Sequence, residues 1–173
     1  MATPQHTKQT LFGSGVKRLE LSIPKIVELA DNTRWSDAFS LDEIEAMAEY
    51  MLVYQVDNNA VVVKEGSKEA FLCLLVKGKM GVFKESSDQS TRSINQIRCG
   101  KTFGEMSLVD GEPRSAAVAA IMPSTILVIT QANFDKLIEE KPRLAINLVM
   151  HIAKLTSQRL RQSSGMLVDA LVK

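Results

Sequence analysis

The spacing of apolar residues changes twice along the chain. Between residues 21 and 51 it is helical. Ile23, Ile26, Val27 and Ala30 fall at helical spacing after Ser22 and Pro24, an N-cap followed by an early proline. Leu41, Ile44, Met47, Ala48 and Met51 form a second stripe after Ser40, and Glu43 completes a capping box. Trp35 and Phe39 flank this second start and read as helix-packing residues. From residue 52 the pattern becomes short β-rich runs, at 52–56, 60–64, 71–76, 80–84, 93–98, 116–121 and 125–130. Asp57-Asn58-Asn59, Glu65-Gly66, Lys77-Gly78, Cys99-Gly100 and Met122-Pro123 punctuate the gaps, and 85–92 reads as a polar hairpin tip. The gaps are too short for helical crossovers, which argues against a parallel βαβ sheet. Helical spacing returns at Gln131 with Phe134, Leu137 and Ile138, and stops before Pro142. A longer helix follows, with Leu144, Leu148, Ile152, Leu155 and Thr156 on one side, and Ser163-Ser164-Gly165 is expected to break or fray it.

This order predicts an α+β chain. Its centre is a β-roll or jelly-roll (double-stranded β-helix) of about eight strands, flanked by N- and C-terminal helices. The expected divisions are a flexible lead-in at 1–20, helices plus β-roll at 21–141, and a C-terminal helix and tail at 142–173. A chain of 173 residues buries enough surface to fold without a disulfide or metal staple. Lys plus Arg number 21 and Asp plus Glu 20, a balance that argues against a basic nucleic-acid arm. No apolar run approaches the roughly 18 residues of a membrane span, and the first 20 residues have no secretory apolar core. Cys73 and Cys99 sit in apolar, strand-like stretches without a CxxC, so the expectation is buried reduced thiols in a cytoplasmic protein.

The chemistry concentrates in residues 102–120, TFGEMSLVDGEPRSAAVAA. Gly104 allows close backbone approach, and Glu105-Met106-Ser107-Leu108 can form one helical turn whose free N–H groups suit an anion. Asp110-Gly111-Glu112-Pro113 turns the chain, and Arg114 arrives with Ser115 beside it. Ala116, Ala117, Ala119 and Ala120 leave room at the wall. Helix-turn amides, an arginine fork and a hydroxyl bind phosphate. Glu105 would repel phosphate, so it makes sense facing a sugar hydroxyl, with Arg114 balancing its charge. Phosphate beside sugar hydroxyl is a nucleotide fragment.

Phe103-Gly104-Glu105-Met106-Ser107-Leu108 followed by Arg114-Ser115-Ala116 resembles the phosphate-binding cassette of the cyclic nucleotide-binding domain family, the superfamily of catabolite activators and cyclic-nucleotide-dependent kinase regulatory domains. Glu65-Gly66, Lys77-Gly78 and the flanking helices extend the likeness over about 40–162. One departure is Asp57-Asn58-Asn59, where the family often has glycine; asparagine tolerates the left-handed region. The resemblance implies that Glu105 holds the ribose 2′-hydroxyl and Arg114 the exocyclic phosphate oxygens. It implies backbone donors at Gly104, Met106 and Ser107, and a Ser115 contact to phosphate or base. It places base contacts on the C-terminal helix, where Gln158, Arg159 and Gln162 are the polar candidates.

His6 and His151 read as solvent or packing residues, so a metal-binding jelly-roll enzyme lacks its ligands. No nucleophile–base pair is spelled out. The expectation is therefore a non-enzymatic sensor with no metal or cofactor. Its ligand is cAMP by preference, with cGMP the alternative. It would act by repacking the C-terminal helix over the base, through a hinge around 134–142. Leu144, Leu148, Ile152 and Leu155 give that helix a seam for a homodimer. Met150 and Met166 read as core or interface filler. Alternatives are the sensor half of an activator-type transcription regulator and an interaction module with a vestigial pocket. Eight residues follow Gly165, too few for a helix-turn-helix module of roughly 60 residues. Direct DNA binding by this chain is therefore not expected, and the effector would be a separate protein or segment.

Overall fold

The computed structural model describes residues 11–86 and 90–171, with side chains as far as 168. The N-terminal half of the predicted lead-in with His6, the tip residues 87–89 and the last two residues lie outside this range. The elements are β1 (Val16–Leu19), α1 (Ile23–Asp31), a 3₁₀ turn (Ser36–Ala38), α2 (Leu41–Ala48), β2 (Leu52–Val56), β3 (Val61–Val63), β4 (Phe71–Lys77), β5 (Lys79–Glu85), β6 (Thr91–Arg98), β7 (Thr102–Phe103), α3 (Glu105–Asp110), β8 (Ala117–Ala120), β9 (Ser124–Thr130), α4 (Gln131–Glu140) and α5 (Pro142–Leu171). All strand pairs are antiparallel, in sheets ordered β1-β2-β9-β4-β7 and β3-β8-β5-β6.

The hydrophobic pattern explains the layering. In β4, Phe71, Cys73 and Leu75 join the core between the sheets, while Leu72, Leu74 and Val76 join the core beneath the helices. Ile126 and Val128 of β9 face one way, and Leu127 and Ile129 the other. A strand buried on both faces reads as an unbroken apolar run, and β4 and β9 do. Helices α1, α2, α4 and α5 cover the outer face of the five-stranded sheet through Ile26, Ile44, Met47, Phe134, Leu137 and Leu148. The capping box of α2 is formed: Ser40 Oγ accepts from the Glu43 amide, and Glu43 accepts from the Ser40 amide. Glu43 also accepts from Asn147 Nδ2 at 2.6 Å, tying α2 to α5. Asn59 sits at φ 64, the left-handed position for which asparagine suits that turn.

Four expectations are corrected. Part of the lead-in is structured: Phe12 is buried edge-on against Tyr54 and Phe71, and β1 pairs with β2. Helix α5 continues through Ser163-Ser164-Gly165 without a break. The expected dimer seam faces the chain's own core, where Leu144, Leu148 and Ile152 are buried and Leu155 lines a cavity. Cys73 is buried as expected, but Cys99 is exposed, its thiol donating to Val76 O. Burial pushes the Cys73 thiol pKa well above the ordinary value.

Candidate functional site

Strand β7 is two residues long because Gly104 turns the chain immediately after it, at φ 81, to cap α3. A Cβ on Gly104 would stand 2.7 Å from Phe71 O and 2.8 Å from Arg114 Nη1, so this position requires glycine. The contact arises because Arg114 folds beneath the turn. Its Nη1 donates to Gly104 O at 2.6 Å and its Nη2 to Phe71 O at 3.0 Å. The guanidinium carbon lies 4.2 Å from the centre of the Phe71 ring, a cation–π contact. Arg114 is only 5% exposed, and its Nε has no partner. Among the described residues no carboxylate reaches it at ion-pair distance. Burial lowers its pKa, with Cys73 and Glu69 acting the other way.

Glu105 opens α3 and is 3% exposed. The expected Glu105–Arg114 charge pair does not form. Instead Glu105 Oε1 takes a hydrogen-bonded ion pair from Arg159 Nη1 of α5, and Arg159 Nη2 donates to Thr102 O at 2.6 Å. Burial lowers the Arg159 pKa. Glu105 Oε2 is buried and unpartnered, as is Thr102 Oγ1. The cassette thus presents an acceptor, Glu105 Oε2, and a cationic donor, Arg114 Nε, both without protein partners.

Glu105 and Arg114 both line one cavity of about 600 Å³ between the β-roll and α5. Of the predicted site residues, Phe103, Gly104, Glu105, Met106, Arg114, Ser115, Ala116, Gln158, Arg159 and Gln162 lie on its wall. Ser107 is buried beneath the α3 turn and is not part of the wall. Helix α5 contributes His151, Leu155, Gln158, Arg159 and Gln162, positions that share one helical face. Sequence reasoning missed Arg34, Trp35, Thr102, His151 and the β6 residues 94–97 as wall residues. The helical phase shared by His151 and Gln158 was the available signal for one of them.

The comparisons agree with this geometry. A family model of the cyclic nucleotide-binding domain matches residues 54–141. The cyclic AMP receptor protein of Thermus thermophilus is 27% identical over 122 residues, 70% of this chain and 55% of that protein. The cGMP-dependent protein kinase of Plasmodium berghei is 26% identical over 93 residues, 54% of this chain and 10% of the kinase. The chain spans about half the length of the bacterial receptor relatives it matches. Among solved structures, a cyclic nucleotide-binding domain from Methylobacillus flagellatus has TM-score 0.77 at 24% identity, covering 89% of this chain and 88% of that one. The Thermus thermophilus catabolite activator protein has TM-score 0.66 at 26% identity, covering 77% and 61%. The matched region holds most of the double-sheet roll, helices α3 and α4 and the cassette between Phe103 and Ala116, and the chain belongs to the cyclic nucleotide-binding domain family.

Proposed function

We propose that the cavity binds a cyclic mononucleotide, cAMP by preference, and that α5 transmits its occupancy. The observation that carries this reading is the pair of unpartnered groups, Glu105 Oε2 and Arg114 Nε, on one wall. A ribose hydroxyl satisfies the first, and a phosphate the second. The amides of Gly104 and Met106 and the Ser115 hydroxyl supply further phosphate donors. Gln158 and Gln162 remain candidates for the base edge. Arg159 changes role: it steadies Glu105 and so links α5 to the ribose. Two relatives named for cyclic AMP support the choice of base, although Ser115 suits cGMP as well.

Signalling on this reading is a population shift. Ligand fixes the cassette, and the cassette fixes α5 through Arg159. The segment 134–142 acts as the hinge, and a separate effector reads the result. The chain is then a cytoplasmic sensor and not an enzyme, with no metal or cofactor required and no direct contact with DNA or membrane. Helix α5 also offers a face for a second copy. Ile146, Met150, Ala153, Ser157, Leu160, Ser164 and Leu167 repeat at alternating four- and three-residue steps, and all are exposed. This stripe replaces the buried seam as the proposed homodimer surface.

Competition against a fluorescent cAMP analogue tests the ligand. Displacement by cAMP or cGMP but not by adenosine, together with loss of probe binding in Glu105→Gln, is expected. Equal displacement by adenosine would overturn the cassette roles, and absence of probe binding would overturn the ligand class.

A further inference from the structure

Two buried ring nitrogens of cavity-wall residues are not used by the nucleotide reading: Trp35 Nε1 and His151 Nε2. They meet where α5 seats against the turn between α1 and α2. The His151 ring stands edge-on to Trp35, with centroids 6.2 Å apart at 86°, and to Phe39 at 5.2 Å and 62°. The Trp35 and Phe39 rings lie 4.7 Å apart, tilted at 42°, and Trp35 is 3% exposed. His151 Nε2 is closed to solvent, and no acceptor reaches it. The neighbouring Ile152 is the last buried side chain of α5 among the described residues. Arg159 lies eight residues beyond His151, about 12 Å along the helix. The 151–152 seat is therefore the last firm anchor before the arginine that grips Glu105.

We propose that His151 is a positioning residue: its neutral ring seats α5 so that Arg159 reaches Glu105, and protonation of the ring unseats the helix and weakens the ligand. The proposal rests on the reading that a cyclic nucleotide uses Glu105. The Lys154 ammonium acts on the imidazole and favours its neutral form, and the rest of the cavity wall is mainly cationic. Arg34, Lys101, Arg114 and Arg159 line the same cavity, against the single carboxylate of Glu105, which already holds Arg159. Lys154 stands less than one turn along α5. On the packed elements, Glu43 of α2 is held by Asn147 and the Ser40 amide, and Asp37 of the 3₁₀ turn is exposed. A proton on Nε2 would add a buried donor without an acceptor.

Burial, and next the Lys154 ammonium, hold the His151 pKa below its ordinary value of 6.5. The sign follows from linkage. Above about pH 6.5 the seated and released helices both carry a neutral ring, and seating is complete. As pH falls below that value the released form takes the proton first, so the balance moves toward release.

Trp35 is the sole tryptophan, so its emission reports this contact without any ligand. We expect emission to change on acidification with a midpoint below that of free imidazole, and His151→Phe, which keeps a ring in the seat, to abolish the transition. Affinity for cAMP should fall about three- to tenfold from about pH 7.5 to about pH 5.5 in the wild type. His151→Phe should bind with little difference between the two. A transition of the same size in His151→Phe, or a flat wild-type emission curve, would overturn the proposal. So would a wild-type affinity that does not change with pH. If the wild type binds no cyclic nucleotide at about pH 7.5, the nucleotide reading fails by itself, and the emission titration still decides the seat.

Discussion

A guanidinium as buried as that of Arg114 is unfavourable unless its donors are met, and two backbone carbonyls meet two of them. Its Nε has no protein partner, a donor that the proposed phosphate contact would satisfy. Arg114→Leu should therefore act twice. It should weaken cyclic nucleotide binding by about 100-fold, and it should lower stability by about 1–3 kcal/mol because Gly104 O and Phe71 O lose their donor. Gly104→Ala should resemble it in binding, since the added methyl would press on both Phe71 O and Arg114 Nη1. The cysteines give a simpler check: in the native protein a thiol reagent should label Cys99 and spare Cys73, read by intact mass. The cassette was legible in the sequence because its residues lie close together in the chain. The partner of Glu105 was not, because Arg159 lies 54 residues away, and only the docking of α5 brings the two together. Charge balance favoured Arg114; chain geometry gave Arg114 to the backbone carbonyls instead.

Among the elements, α5 departs furthest from its sequence expectation. Ser163-Ser164-Gly165 carries weak helix formers, yet α5 runs to Leu171. A Cβ on Gly165 would meet nothing within 4 Å. Gly165→Ala should thus stabilise the helix by about 0.5–1 kcal/mol, seen as a small rise in the thermal midpoint. Leu160 is 68% exposed on the outward stripe. Leu160→Glu should convert a dimer to monomer in sedimentation while leaving the far-ultraviolet dichroism of the roll intact; a monomeric wild type would exclude the homodimer. The buried stripe was visible in the sequence, but periodicity cannot tell which surface a helix stripe faces. Strand β1 was missed for a related reason. Its residues, VKRL, are half exposed or exposed, and the strand exists through its pairing with β2. Strands β4 and β9 were readable because burial on both faces leaves an uninterrupted apolar run.

Across the whole molecule, the helices and the roll meet at one cavity, so anything that fills it should hold the layers together. Ligand at 100 times its dissociation constant should add about 2.7 kcal/mol to stability. At the same ligand concentration the gain should fall to about 0.4 kcal/mol in Arg114→Leu, if that variant binds 100-fold more weakly. The order of elements followed from the sequence because helix and strand periods were cleanly separated. The closure of the cavity by α5, with Trp35 and His151 at one end, depended on tertiary packing that no local pattern encodes. The central claim is that Glu105 and Arg114 receive the sugar and phosphate of a cyclic nucleotide. Isothermal titration calorimetry of the full chain with cAMP and cGMP, beside Arg114→Leu, measures it most directly. Saturable binding of at least one nucleotide to one site per chain, lost or weakened about 100-fold in the variant, is the predicted result. No heat from either nucleotide, or equal affinity in wild type and Arg114→Leu, would contradict it.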